Sequence, residues 1–195
     1  GAPTAPPTDP FTLRRSTPSR GGRDARRPTG GRAMRLDPGQ LRWQVINDGV
    51  MGGLTRSSAR CDELGVHFSG LLSTANNGGF ASIRSQLARP VRGLRQVRLS
   101  VTGDGNRYQL RLRDSEDPSA AAWRAFFETS GEMQSVTLET PDFEPVVRGR
   151  RVEILPGLAE RSLQFLGFML ARGEDGAFSL NVHAIELAGS DRADD

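Results

Sequence analysis

The sequence predicts an all-β chain, a single-domain β-sandwich or jelly roll behind a disordered N-terminal tail, and three observations carry that expectation. From Leu41 onward apolar and polar residues alternate with a period of two. Clusters of Gly, Asn, Asp and Pro punctuate the alternating stretches, and no long helical period occurs. About nine short strands with turns between them is the pattern of a sandwich or jelly roll.

The leading segment is expected to stay out of the fold. Residues 1–35 hold six Pro, five Gly and, before Met34, only Phe11 and Leu13 as large apolar residues, so burial cannot offset the entropy of ordering. No apolar stretch follows the Arg14-Arg15 pair, which argues against an export signal. The Arg, Ser and Thr content fits a mitochondrial presequence, while the Pro and Gly content opposes the amphipathic helix such segments form. Met34 is the alternative start. The division expected is a tail over 1–35, one domain over 36–190 and a flexible end over 191–195.

Within the domain the strands are read in order. Arg42 to Ile46, Val66 to Leu72 and Phe80 to Arg84 come first. In Leu94 to Val101, Val97, Leu99 and Val101 alternate with Gln96, Arg98 and Ser100; in Arg107 to Arg113, Tyr108, Leu110 and Leu112 alternate with Gln109 and three Arg. Ala122 to Thr129, Ser135 to Leu138, Phe165 to Ala171 and Phe178 to Leu187 follow. In the last of these Phe178, Leu180 and Val182 keep one phase and Ile185 and Leu187 the other, so a bulge is expected at His183-Ala184.

All 26 basic residues are arginine, which removes Schiff-base chemistry and lysine-dependent phosphate loops. The charge is also divided. Residues 1–35 carry eight Arg against Asp9 and Asp24, a net +6, and the remaining 160 carry 18 Arg against 21 acids, a net −3. Nucleic-acid binding by the folded part is therefore not expected. The single Cys61 allows no intramolecular disulfide, and the longest apolar run, Phe165 to Ala171, falls far short of the roughly 20 residues of a membrane-spanning helix.

Two polar turns stand out. Asn47-Asp48-Gly49-Val50-Met51-Gly52-Gly53 reads as a tight reversal beside a core anchor, Trp43, or as a rim lined by Asp48 and free amides. Asn76-Asn77-Gly78-Gly79 reads as ordinary turn chemistry or as a sugar- or cation-binding loop running into Arg84, and whether a metal sits there is left open. The link Thr102-Gly103-Asp104-Gly105-Asn106 reads as a hairpin that pairs Val101 with Tyr108. That register sets Arg98 opposite Arg111 on the outer face, with Arg113 extending the stripe. Either acids such as Glu128 neutralise it, or it meets an anionic partner, because guanidinium suits carboxylate and phosphate. Arg148-Gly149-Arg150 is a solvated loop or an anion clamp.

Trp43 with Asn47 to Gly53, Phe68-Ser69-Gly70, Asn76 to Arg84, Gly103-Asp104-Gly105 with Tyr108, Phe143-Glu144-Pro145, Arg148-Gly149-Arg150 and Leu166-Gly167-Phe168 before Gly176-Ala177-Phe178 together resemble the complex I intermediate-associated protein 30 family. The likeness runs over roughly Leu41 to Leu187. It implies a galactose-binding-domain-like jelly roll and a group whose mitochondrial members assist assembly of respiratory complex I. Two positions depart from the family pattern: Trp123 stands where Tyr is common, and Met133 where Trp often follows a Gly.

No Gly-x-Ser-x-Gly elbow, dinucleotide fingerprint or Cys-His nucleophile arrangement occurs, so no catalytic residue and no cofactor are expected. The expected function is non-catalytic binding of a protein partner, in the manner of an assembly factor or chaperone. A carbohydrate or small anionic ligand is the alternative. The candidate binding residues are Asp48, Asn76, Asn77, Arg84, Arg98, Asp104, Tyr108, Arg111, Arg113, Arg148 and Arg150. The setting is cytoplasmic if the chain is bacterial and the mitochondrial matrix if the tail is a presequence.

Overall fold

Alternation of the kind read above requires two sheets with facing apolar sides, and the computed structural model has them. It describes residues 33–189, so the expected tail up to residue 32 and the expected flexible end over 191–195 lie outside the described residues. The strands are β1 (Ala33–Leu36), β2 (Trp43–Asn47), β3 (Arg56–Asp62), β4 (Gly65–Leu72), β5 (Phe80–Val91), β6 (Leu94–Thr102), β7 (Arg107–Arg113), β8 (Ala122–Glu128), β9 (Met133–Glu139), β10 (Glu144–Val147), β11 (Arg150–Arg151), β12 (Leu163–Ala171) and β13 (Gly176–Gly189). The first sheet runs β3-β4-β13-β6-β9, with β1 pairing to the second half of β13; the second runs β11-β10-β8-β7-β12-β5-β2. β1 places Ala33 to Arg35, read from composition as the end of the tail, in the first sheet.

Every inward position named from the alternation is buried. Val97, Leu99 and Val101 of β6, with Phe178, Leu180, Val182, Ile185 and Leu187 of β13, face Tyr108, Leu110 and Leu112 of β7 and Leu166, Phe168 and Leu170 of β12. Each such side chain contributes about 1.5–3 kcal/mol by leaving water. Phe127 packs among the inward rings of the second sheet, edge-on to Phe168 at 6.3 Å and stacked on Tyr108 at 6.2 Å. Trp43 is a half-buried anchor, 6.0 Å from Phe168, and its indole donates to the Pro38 carbonyl at 2.9 Å. The register of β13 against β6 shifts between Val182 and Ala184, where the phase break required a bulge. His183 occupies it: Nδ1 donates to the Leu64 carbonyl at 2.7 Å, which leaves Nε2 to accept from the Thr102 hydroxyl at 2.8 Å.

The expected hairpin between β6 and β7 is corrected. β6 pairs with β13 and β9 in the first sheet, β7 with β12 and β8 in the second, and residues 103–106 carry the chain across the sandwich. Val101 and Tyr108 thus belong to opposite walls of the core. The turn residues permit either geometry; tertiary bonds decide it. Asp104 accepts from the Tyr108 hydroxyl (3.0 Å), the Asn106 amide (3.1 Å) and the Ser179 amide of β13 (2.8 Å). The β8–β9 link crosses in the same place, and the Thr129 hydroxyl accepts from the Gly105 amide (3.1 Å) and donates to the Asn106 carbonyl (2.7 Å). Gly103 is required there, because a Cβ would lie 2.2 Å from Thr129 Cβ.

Candidate functional site

Alternation in the second sheet sends one residue of each pair to the core and the next to the outer face. Register then aligns the outward residues across strands. One row reads Gln44 (β2), Arg84 (β5), Gly167 (β12), Arg111 (β7), Arg124 (β8), Glu144 (β10). Beside it lie Ile46, Ser82, Met169, Gln109 and Phe126, and on the other side Gln86, Phe165 and Arg113. The face is unusually well packed for an outer surface, since Phe165, Gln109 and Ser82 are all buried.

Its electrostatics are one-sided. Arg124 Nε meets Glu144 Oε1 at 2.9 Å, and Arg151 Nε takes the other oxygen at 3.2 Å. Guanidiniums cover the aromatic rings: Arg107 and Arg124 lie 3.9 and 5.0 Å from the Phe126 centroid, and Arg84 lies 4.9 Å from that of Phe165. Arg113 donates to the carbonyls of Ser115 (3.1 Å) and Asp117 (2.6 Å), fixing the loop after β7. Among the described residues Arg111 has only neutral acceptors, Gln109 Oε1 at 2.8 Å and Met169 Sδ at 3.6 Å. Burial, with Arg113 and Arg124 close by, pushes its guanidinium pKa down to about 10.

The remaining sequence-derived candidates separate. Arg98 is exposed on the other sheet, in register with Glu186 and Thr137, beside a shallow depression that Arg35, Ser100 and Ser135 also line. It shares no face with Arg111, which corrects the expected stripe; Arg111 faces Arg124 instead, and Glu128 pairs with Arg107 at 3.3 Å without reaching Arg111. Asp48 is no rim residue. It is fully buried, and its carboxylate accepts from the Thr55 hydroxyl (2.5 Å), the Thr55 amide (3.1 Å) and the Gly79 amide (2.8 Å), tying the β2–β3 loop to the β4–β5 loop. Burial would raise its pKa, but those donors outweigh it and hold the carboxyl below the usual range. Asn76 and Asn77 are exposed with φ of 55° and 59°, the left-handed turn geometry Asn tolerates.

Asp104 and Tyr108 serve the crossover, and desolvation next to Asp104 drives the buried phenol's pKa far up. Arg148 and Gly149, both at positive φ, form the two-residue turn between β10 and β11, with Arg148 and Arg150 exposed. Arg84, Arg111 and Arg113 are thus brought together. Arg124, Gly167, Phe126 and Phe165 were missed: their outward phase is readable in each strand, but their neighbours depend on which strands pair.

Two antiparallel sheets in this order, with one sheet presenting a packed polar outer face, define a galactose-binding-domain-like jelly roll. The chain belongs to the complex I intermediate-associated protein 30 (CIA30) family, whose model matches residues 35–182. Its fold is similar to that of the family 11 carbohydrate-binding module from Clostridium thermocellum in complex with a β-1,3-1,4-mixed-linked tetrasaccharide, at 14% identity over 83% of this chain and 97% of that one, TM-score 0.57. The xylan-binding module CBM15 is similar at 14% identity over 84% of this chain and 100% of its own, TM-score 0.56. No curated protein matches the sequence. Among the described residues no helix is long and apolar enough to cross a membrane.

Proposed function

We propose that the protein is a non-catalytic binding protein that holds a protein partner on the arginine-lined outer face of the second sheet. The family's name points to intermediates of respiratory complex I as the class of partner. The observation that carries the reading is Arg111, a largely desolvated cation with no carboxylate beside it among the described residues, in a row where Glu144 is already shared by Arg124 and Arg151. Charges in such surroundings are stabilised by an opposite charge arriving with a partner. Both histidines have both ring nitrogens occupied, His67 by Asn181 and Asp62 and His183 by Leu64 and Thr102, which suits structural roles better than proton transfer. The proposed setting is the cytoplasm of a bacterium, or the mitochondrial matrix if residues 1–35 act as a presequence.

A second reading, carbohydrate binding, draws on the fold shared with carbohydrate-binding modules and on Gln44, Gln86 and Gln109 beside two Phe on the face. The guanidiniums stacked on Phe126 and Phe165 occupy the ring surfaces that a sugar would use. The test is affinity capture with the full chain from detergent-solubilised membranes of the source cells. Respiratory-complex subunits are expected with the wild type and with Arg98→Gln, and are expected to be lost with the Arg84→Gln/Arg111→Gln double variant. Equal recovery by the double variant refutes the use of this face, and a glycan array that lights up on neutral glucans establishes the second reading.

A further inference from the structure

We propose that Gly167, flanked by Arg84 and Arg111, is a carboxylate-binding notch that takes a Glu or Asp side chain from an extended acidic segment of the protein partner. The inference rests on the reading of this face given above and names the chemistry recognised there. Of the six positions in the central row, Gly167 alone has no side chain. The missing Cβ would point outward beside Arg84, 3.6 Å from its Cβ, and would lie 2.6 Å from the Ile83 carbonyl oxygen, so the gap is enforced by the backbone. With strands spaced about 4.8 Å apart, the Arg84 and Arg111 backbones stand about 10 Å apart with only β12 main chain between them. That span suits a carboxylate reached by two long guanidinium arms.

The walls of the notch are apolar. Two residues along β12 in either direction stand Phe165, covered by Arg84, and Met169, touched by Arg111 Nη1 at 3.6 Å. Low-dielectric walls strengthen an ion pair formed between them. Arg111 uses Nη1 for its neutral acceptors, which leaves Nε and Nη2 as a fork for bidentate capture of a carboxylate. Its burial without a counter-charge is the condition that such capture relieves.

A peptide is favoured over a glycan or free phosphate by the loop between β11 and β12, which is tied to the residue after β7. Leu155 there is 90% exposed, and the loop is held in place by Arg161, which donates to the Pro156 carbonyl at 2.9 Å and meets Asp114, the residue after Arg113, at 3.1 Å. An exposed aliphatic side chain on a loop tied to the residue after Arg113 matches a partner that carries both carboxylates and apolar side chains.

The experiment is fluorescence anisotropy with the full chain and labelled twelve-residue peptides in which Glu and Leu alternate, against the same peptides with Gln for Glu, and against a uronic acid oligomer. The Glu peptide is expected to bind at least about tenfold tighter than the Gln peptide, to lose about tenfold in Arg111→Gln, to be unaffected by Arg98→Gln and to weaken as salt rises. Equal binding of the two peptides, or an unchanged affinity in Arg111→Gln, overturns the notch, and binding of the uronic acid oligomer in place of the Glu peptide overturns the peptide assignment. If capture from membranes depends on Arg84 and Arg111 while the Glu peptide fails, the partner-binding face stands without this notch. If the Glu peptide binds while no respiratory-complex subunit is captured, the notch stands and the partner class falls.

Discussion

Replacing Arg111 by glutamine is expected to make the isolated protein more stable, although it shortens a largely desolvated side chain and gives up its contact to Met169 Sδ. The guanidinium is held at a pKa of about 10 because burial and two neighbouring arginines disfavour its charge in the folded state. At about 1.4 kcal/mol per pKa unit, the distance from the ordinary arginine value sets a ceiling of about 3 kcal/mol, and screening by water at the partly accessible end halves it. Glutamine keeps a donor for Gln109 Oε1 and gives up about 0.5 kcal/mol of aliphatic packing. A net gain of about 1 kcal/mol remains, a rise in Tm of about 2–4 °C for a chain of this size.

The sign with pH follows from the depressed pKa: the unfavourable charge is present at all pH below about 10 and fades only above it, so the gain is the same at pH 6 and pH 8. Urea denaturation at neutral pH and low salt measures it, and 1 M salt is expected to shrink it. A loss of more than about 1 kcal/mol would show that Arg111 is compensated in the folded state and would refute the reasoning.

The neighbouring Arg124→Gln is expected to do the opposite, costing about 1–2 kcal/mol in the same urea assay, because it breaks a 2.9 Å pair with Glu144 and a stack on Phe126. Asp48→Asn is expected to cost about 2–4 kcal/mol by facing an amide toward donors that a carboxylate satisfies; in the wild type this contribution is present above the unfolded carboxyl value near pH 4 and is lost as pH falls through the lower folded value, so an acid titration followed by circular dichroism shows a transition that the variant lacks. Tyr108→Phe is expected to cost about 1 kcal/mol and Asp104→Ala about 2–3 kcal/mol, since the carboxylate also serves the Asn106 and Ser179 amides; calorimetry orders the two.

Much of this fold is visible in single-strand patterns because a sandwich strand with one buried face imposes a period of two on its own residues. Of the strands left unread, β1 and β11 are too short to carry that imprint and β3 and β10 lack it. β3 is an edge strand of Arg, Ser and Ala with nothing fully buried, and β10 contains Pro145. Pairing is less legible, since Gly103-Asp104-Gly105 suits a hairpin and a crossing equally and the deciding acceptor, Asp104, finds Ser179 far along the chain. The face inherited that limit. Arg111 and Arg113 lie on one strand and were grouped correctly, whereas Arg98 was joined to them by the hairpin and Arg124 could be found only from the β7–β8 register. Asp48 looked like a rim residue because a buried, fully bonded carboxylate and an exposed one look alike beside glycines.

The two strands that join the halves of the sheets, β12 and β13, come last in chain order among the described strands. β13 lies between β4 and β6, β12 lies between β7 and β5, and both follow residue 162. During synthesis from the N-terminus, β4 and β6 therefore wait without the strand that joins them, as do β5 and β7, and their unpaired edges and apolar faces stay open until residues 163–189 emerge. The two sheets form a two-halved clasp closed by β12 and β13. A chain stopped before β12 would retain most of its strands and neither of its finished sheets, and the arginine face, which needs β12 as its floor, exists only once the clasp has shut.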